Sequence, residues 1–203
     1  MTRALLLLVA GCLLAGCAAT PRPPAPAPDV LAARWSAQRA ALLGIAGFTL
    51  RGRAAIHQGR AGGSVSLRWV QADTAADLWL MAPLGQGTFH LSSDSQGVAL
   101  STPDGRRHTA LDLETLMQTH LKWSLPIDGA RYWVRGVPDP RAPVTNLQLD
   151  ASGRLAELDQ GGWHLRVLEY QPPQGFSLPK RLVLSAGEVR IRLAIDHWDL
   201  TLK

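Results

Sequence analysis

The chain has 203 residues, of which 46% are hydrophobic and 18% charged, with 19 Gly and 14 Pro. That composition is too apolar for a disordered chain, and a domain of this length buries enough surface to fold without disulfides or a metal. The formal net charge is +5, with only three Lys among the 21 basic residues; the lack of any run of five like charges excludes a nucleic-acid tail, while a diffusely basic surface still suits an acidic partner or anionic lipid.

Arg3 precedes an apolar run, Ala4 to Leu14, which closes on Leu14-Ala15-Gly16-Cys17. A basic start, a short apolar core and small residues make residues 1–16 a secretory signal. The run is shorter than the roughly 20 residues that span a bilayer as a helix. Leu-Ala-Gly-Cys is similar to a bacterial lipobox. The similarity implies cleavage before Cys17, a diacylglycerol on its sulfur and an acyl group on its amine. Cys12 leaves with the signal, so the mature chain holds no free thiol and no disulfide in an oxidising periplasm. Two or more acyl chains make a stable anchor where one would be marginal. Retention signals in this class carry Asp just after the cysteine; Ala18 stands there, which implies the outer membrane. Residues 17–28 are the lipidated cysteine and a Pro-rich tether. Polyproline II geometry makes the tether a spacer of about 30–35 Å.

Residues 29–203 read as one folded domain. Asp29 is placed to cap a helix from Val30, with Leu31, Trp35, Leu42 and Ile45 on one face and Gly44 or Gly47 at its end. The period then changes from 3.6 to 2. Strands are expected over 47–57, 64–71, 76–82, 88–92, 97–101 and 106–109, with the loop Pro83-Leu84-Gly85-Gln86-Gly87 between the third and fourth. The middle is helical, over 112–121 and 127–136. Strands resume over 144–150, 154–160, 163–170, 180–185 and 188–198. The expected fold is mainly β (α+β): a curved antiparallel sheet of about eleven strands forming an incomplete barrel, with about three helices packed over its open side.

Several chemistries have no support in the sequence. There is no phosphate-binding Gly-rich loop ending in Lys-Ser or Lys-Thr, no His-Glu-x-x-His, no Cys-x-x-Cys and no Gly-x-Ser-x-Gly. The six His are scattered, and His197 between Asp196 and Asp199 is the best metal guess. Nothing selects two of the sixteen carboxylates as a glycosidase pair. No catalytic residue, metal or cofactor is therefore assigned. Trp is over-represented, with seven against three Phe and two Tyr. Most are expected in the core; Trp69 and Trp79, nearest the 83–87 loop, are candidates for lining an apolar cavity. On this footing three functions stay open: a lipid-handling receptor, a tethered cell-envelope enzyme such as a glycan hydrolase, and a structural lipoprotein.

From about Trp35 to the C-terminus the chain resembles the LolB family of outer-membrane lipoprotein receptors. The resemblance runs through Arg51-Gly52-Arg53, Trp69-Val70-Gln71, Pro83-Leu84-Gly85, Pro126-Ile127, the segment Tyr132 to Pro138, Gly161-Gly162-Trp163, Leu178-Pro179 and the strand closing at Trp198. It implies an incomplete eleven-stranded barrel lidded by helices, and an apolar cavity for acyl chains. It implies receipt of acylated lipoprotein cargo from the periplasmic carrier LolA and delivery into outer-membrane lipid. No enzymatic activity, no nucleic-acid partner and a monomer are expected alongside it. The family's protruding loop falls on Pro83, Leu84 and Gly85. Strand alternation gives the expected cavity residues: Val65, Leu67, Trp69, Leu78, Leu80, Phe89 and Leu91.

Overall fold

A computed structural model describes residues 26–172 and 175–202. The signal segment 1–16, Cys17 and most of the tether lie outside the described residues. From Pro28 the described residues form helix α1 (Pro28–Leu43) and run into β1 (Ile45–Gln58), β2 (Ala61–Ala72) and β3 (Ala75–Met81). A single 3₁₀ turn (Pro83–Gly85) leads to β4 (Thr88–Asp94), β5 (Gly97–Ser101) and β6 (Arg107–Ala110). Helices α2 (Leu113–Leu121) and α3 (Ile127–Trp133) follow, then β7 (Val144–Leu149), β8 (Leu155–Gln160), β9 (Trp163–Tyr170), β10 (Pro179–Ala186) and β11 (Val189–Leu202).

All eleven strands join one antiparallel sheet in the order β6-β5-β4-β3-β2-β1-β11-β10-β9-β8-β7. Each hairpin pairs neighbours, and among the described strands the one non-local pairing, β1 with β11, joins the two halves. Among the described residues β6 and β7 have no further partner strand, so the barrel is incomplete. The cause is in the alternation. Directly opposed residues share a face, and the apolar positions line up across strands: Leu50 opposite Trp69, Trp69 opposite Leu78, Leu78 opposite Leu91 and Leu91 opposite Leu100. The other half does the same with Leu158, Leu165, Leu184 and Ile191. One face is thus apolar from edge to edge, and a twisted sheet this wide buries it by curling.

The ladder between β1 and β11 is irregular at one point. Asp196 bulges out of register there, between the pairs Arg51–His197 and Gly52–Ile195. A side chain at Gly52 would collide with the Ala194 carbonyl oxygen, so only glycine lets the two strands close up at the bend.

The helices close over the inner face. Leu113, Leu116 and Met117 of α2, and Ile127, Ala130 and Trp133 of α3, join the sheet's core. α1 packs outside this layer in a second cluster, where Leu42 and Ile45 meet Val137 and Leu178. Every residue of both clusters lies at or after Trp35, so a chain beginning at Pro28 holds the whole described core.

Three expectations need correction. Asp29 does not cap α1: Ala27 is the cap residue, Pro28 takes the first helical position, and Asp29 sits in the first turn, where its charge still favours the helix dipole. Ile45 does not belong to the helix face, since Gly44 ends α1 and Ile45 already pairs with Leu202. α3 ends at Trp133 rather than Gly136; the next residues form tighter turns, Arg135 N to Tyr132 O at 3.0 Å and Gly136 N to Trp133 O at 2.9 Å. Asp112 caps α2, its carboxylate accepting from Thr115 N at 2.7 Å.

Candidate functional site

All seven residues expected from alternation lie on the inner face. Leu67 stands opposite Leu80, and Leu80 opposite Phe89. Trp69, Leu78 and Leu91 form the next row, and Val65 stands opposite Ala54. Val65 and Phe89 are half-buried and the other five are buried. Alternation did not extend this set to Leu158, Leu165, Leu182, Leu184, Ile191 and Leu193 on the far half, nor to the helical cover. β11 shows the signal, with Ile191, Leu193 and Ile195 two apart.

Trp79 is not part of that set. It lies on the outer face, its ring stacked on His90 with centroids 4.5 Å apart and planes 5° from parallel. The Arg68 guanidinium covers it at 4.6 Å, and His90 Nε2 pairs with Asp77 Oδ1 at 2.8 Å. Trp69 is the inner member of the pair. Its Nε1 donates to Gln71 Oε1 at 3.1 Å, and Gln71 Nε2 donates to the Asp73 and Ala75 carbonyls. The Trp-Val-Gln motif therefore fixes the β2–β3 turn from inside, with every polar atom of the buried amide used.

The inner face is filled in its middle and opens at one end. An opening of about 360 Å³ lies between the β1–β2 hairpin, the end of α2 and the 82–86 loop. Ile56, Val65, Leu121, Trp123 and Pro83 line it. Its volume falls in the range of small-ligand sites, about 300–1,000 Å³, and most of its named walls are apolar.

The loop beside this mouth projects into solvent. Leu84 is 97% exposed and holds a left-handed backbone, φ 55° and ψ 29°. Pro83 fixes the residue before it, and Gly85 follows at φ 73°. Ala82 N donates to Gly87 O at 3.0 Å and closes the loop's base. Met81, 36% exposed, continues the apolar tip onto the sheet. An apolar side chain is thus held out in water by a conformation that costs a leucine about 1–2 kcal/mol.

The frame behind the mouth is polar, buried and paired. Arg135 Nη1 donates to the Leu42 and Ile45 carbonyls at 2.9 and 3.3 Å, and its Nε donates to Arg131 O. It stacks between Phe48 and Tyr132. Burial lowers its pKa; the nearby Tyr132 opposes that shift. It joins the end of α1, the start of β1 and α3. Gln160 does the same for the far half: its Oε1 accepts from Trp133 Nε1 at 2.7 Å and Asp139 N at 2.9 Å, while its Nε2 donates to the Asp139 and Ala142 carbonyls. Burial acts to raise Asp139, but hydrogen bonds and charge from Arg141 outweigh it and hold this carboxyl below its usual range. Single motifs of the sequence, Tyr132 to Pro138 above all, are the parts of this frame.

Among the described residues no group of three or more His, Cys, Asp and Glu is placed to hold a metal ion, the His197 region included. Asp159, His164 and Ser185 do form a cross-strand row, with His164 Nδ1 on Asp159 Oδ1. Among the described residues Ser185 makes no hydrogen bond with the imidazole, so the row holds no activated hydroxyl.

A family model described as outer membrane lipoprotein LolB matches residues 46–198. A protein of Nitrosococcus oceani named outer-membrane lipoprotein LolB is 40% identical over 196 residues, covering 96% of each chain. Proteins of the same name from Azoarcus and Alkalilimnicola ehrlichii are 39% and 36% identical, the first over 97% of this chain and 95% of its own, the second over 96% of both. Among solved structures, a LolA-superfamily protein from Nitrosomonas europaea superposes with a TM-score of 0.44 at 7% identity, over 75% of this chain and 86% of its own. A DUF1329-family protein from Desulfovibrio piger gives a TM-score of 0.44 at 6% identity, over 86% and 93%.

Proposed function

The chain belongs to the outer membrane lipoprotein LolB family, and we propose on that footing that it receives acylated lipoproteins from the periplasmic carrier LolA and inserts them into the outer membrane. One observation carries the proposal: an apolar inner face opens to solvent beside a loop that exposes a leucine. Acyl chains cross water at roughly 0.8 kcal/mol for each exposed methylene. A receiver therefore needs an apolar slot with a mouth, and it needs no nucleotide when affinity rises along the path. Val65, Leu67, Trp69, Leu78, Leu80, Phe89 and Leu91 are the acyl-facing wall on the β2–β4 side. Pro83, Leu84 and Gly85 form the membrane-entering tip. Cys17 carries the acyl anchor that keeps the domain at the outer membrane, and the domain works as a monomer.

The test is a two-step transfer with a chain beginning at Pro28. In the first step an acylated lipoprotein is offered on its soluble carrier, and transfer is read by co-purification. In the second, liposomes are added, and cargo in the bilayer is counted. Cargo on the domain after the first step and in the bilayer after the second supports the proposal. Cargo that stays on the carrier overturns it.

A further inference from the structure

A trough crosses the outer face of the sheet, on the side away from the acyl-facing wall. Register aligns Met81, Ser66, Arg53, Ala194 and Arg181 in one row, from β3 to β10. Ser64, Ala55 and Arg192 form the row beside it. Small side chains along the middle leave a low floor, while Met81 and Leu168 stand at its ends. The trough encloses about 550 Å³, more than the inner mouth. Leu168 is 57% exposed. Pro83 lines the trough as well as the inner mouth, so both openings meet the same loop.

The charge at this trough is positive. Arg53, Arg181 and Arg192 lie along it. Asp196 stands 3.7 Å from Arg53, and Glu169 3.3 Å from Arg181. Arg192 has no carboxylate partner among the described residues. Guanidinium groups above an apolar floor match a phosphate ester attached to hydrocarbon, since the planar fork binds phosphate oxygens in pairs. Scattered surface arginines would suit any acid. Exposed Met81, continuous with the loop, and exposed Leu168 at the far end select a lipid surface.

We propose that this trough is a phospholipid-docking surface. Arg53, Arg181 and Arg192 take the phosphates of anionic phospholipid in the bilayer that Leu84 enters, and Met81 and Leu168 lie at the boundary between headgroups and acyl chains. The proposal rests on the membrane-entering role of the loop. It adds an orientation: the outer face turns to the bilayer and leaves the inner mouth beside it.

Vesicle co-sedimentation of the chain from Pro28 separates the two ideas. The probes are phosphatidylcholine vesicles with and without one-quarter phosphatidylglycerol. Arg53→Gln/Arg192→Gln is expected to lose about 30-fold in binding to the anionic vesicles, with binding to neutral vesicles unchanged. Arg106→Gln/Arg107→Gln removes the same charge at the β5–β6 turn and is expected to lose little. All four positions are exposed, and an unchanged melting curve checks that each variant folds. Undiminished anionic binding by the trough pair, or equal loss by both pairs, overturns the docking surface and leaves the loop's role standing. Leu84→Glu tests the loop separately, by loss of binding to both kinds of vesicle. A trough pair that weakens only carrier binding assigns the surface to a protein and overturns the proposal.

Discussion

Leu84 carries two costs and makes no contact that repays them. Its side chain stays in water, and its backbone is left-handed. Asp73 and Lys122 are the other described non-glycine residues with positive φ, and both are polar residues at turns. Strain of this kind persists where function holds it. Leu84→Gly is therefore expected to keep or raise the melting temperature while abolishing delivery to liposomes. Leu84→Glu is expected to keep the melting temperature within about 0.5 kcal/mol of stability, as exposed positions do, to accept cargo from the carrier and to fail at delivery. Thermal unfolding beside the two-step transfer assay reads both. Normal delivery by either variant removes the leucine from the mechanism. Pro83 and Gly85 made the loop legible, because their backbone preferences are local. The left-handed angle at Leu84 was not, since a leucine avoids it. Trp79 was misplaced for a reason the sequence itself contains: alternation that points Leu78 and Leu80 inward must point Trp79 outward.

The two helices over the inner face are held differently. Arg135 and Gln160 tie α3 and the segment after it to both halves of the sheet through buried hydrogen bonds. α2 leans on β6, a free edge of four residues, where His120 and His108 stack with centroids 3.9 Å apart. Desolvation, then the charges of His108 and Lys122, push the His120 pKa down from its ordinary value. A lowered histidine pKa means that the unfolded or detached helix binds protons more readily. The stability contribution is present above about pH 6.5, the ordinary histidine value, and is lost as pH falls toward the folded value. Protection of the α2 amides, taken relative to their intrinsic exchange rates, is expected to fall below about pH 6.5, with α3 unaffected, and His120→Gln is expected to flatten that dependence. An equal fall in α3 would show a global rather than a local opening. Helix α2 was legible from its apolar period. The ties of α3 were not, because Arg135 meets a carbonyl 93 positions away and Gln160 an indole 27 away. Local pattern carries no record of such pairings.

At the scale of the whole molecule, the strand count and the inner face were legible because period 2 sets which side each residue takes. The β1–β11 closure was not, since nothing in a strand's own pattern names a partner so far along the chain. That closure has a consequence for ligand entry. Helices and sheet fill the middle of the inner face: Leu91, Leu100, Leu158 and Leu165 are at most 1% exposed, and the mouth offers about 360 Å³ of free space. An acyl chain longer than the mouth must displace side chains or lift α2. Room made in advance should then favour binding while it weakens the fold. Leu91→Ala removes a fully buried side chain beside Leu78 and Leu100 and is expected to cost about 2–5 kcal/mol of stability. It is also expected to tighten binding of a fluorescent lauroyl-length probe by about fivefold or more, because the chain's methylenes refill the void. Leu67→Trp works in the other direction: overpacking costs about 1–3 kcal/mol, and the probe should bind more weakly. Denaturant unfolding and probe titration on the chain from Pro28 measure both quantities. Opposite shifts in affinity place the acyl chain against the inner face. Unchanged affinity in both variants, with the expected losses of stability, would place it elsewhere and sink the inner-face site.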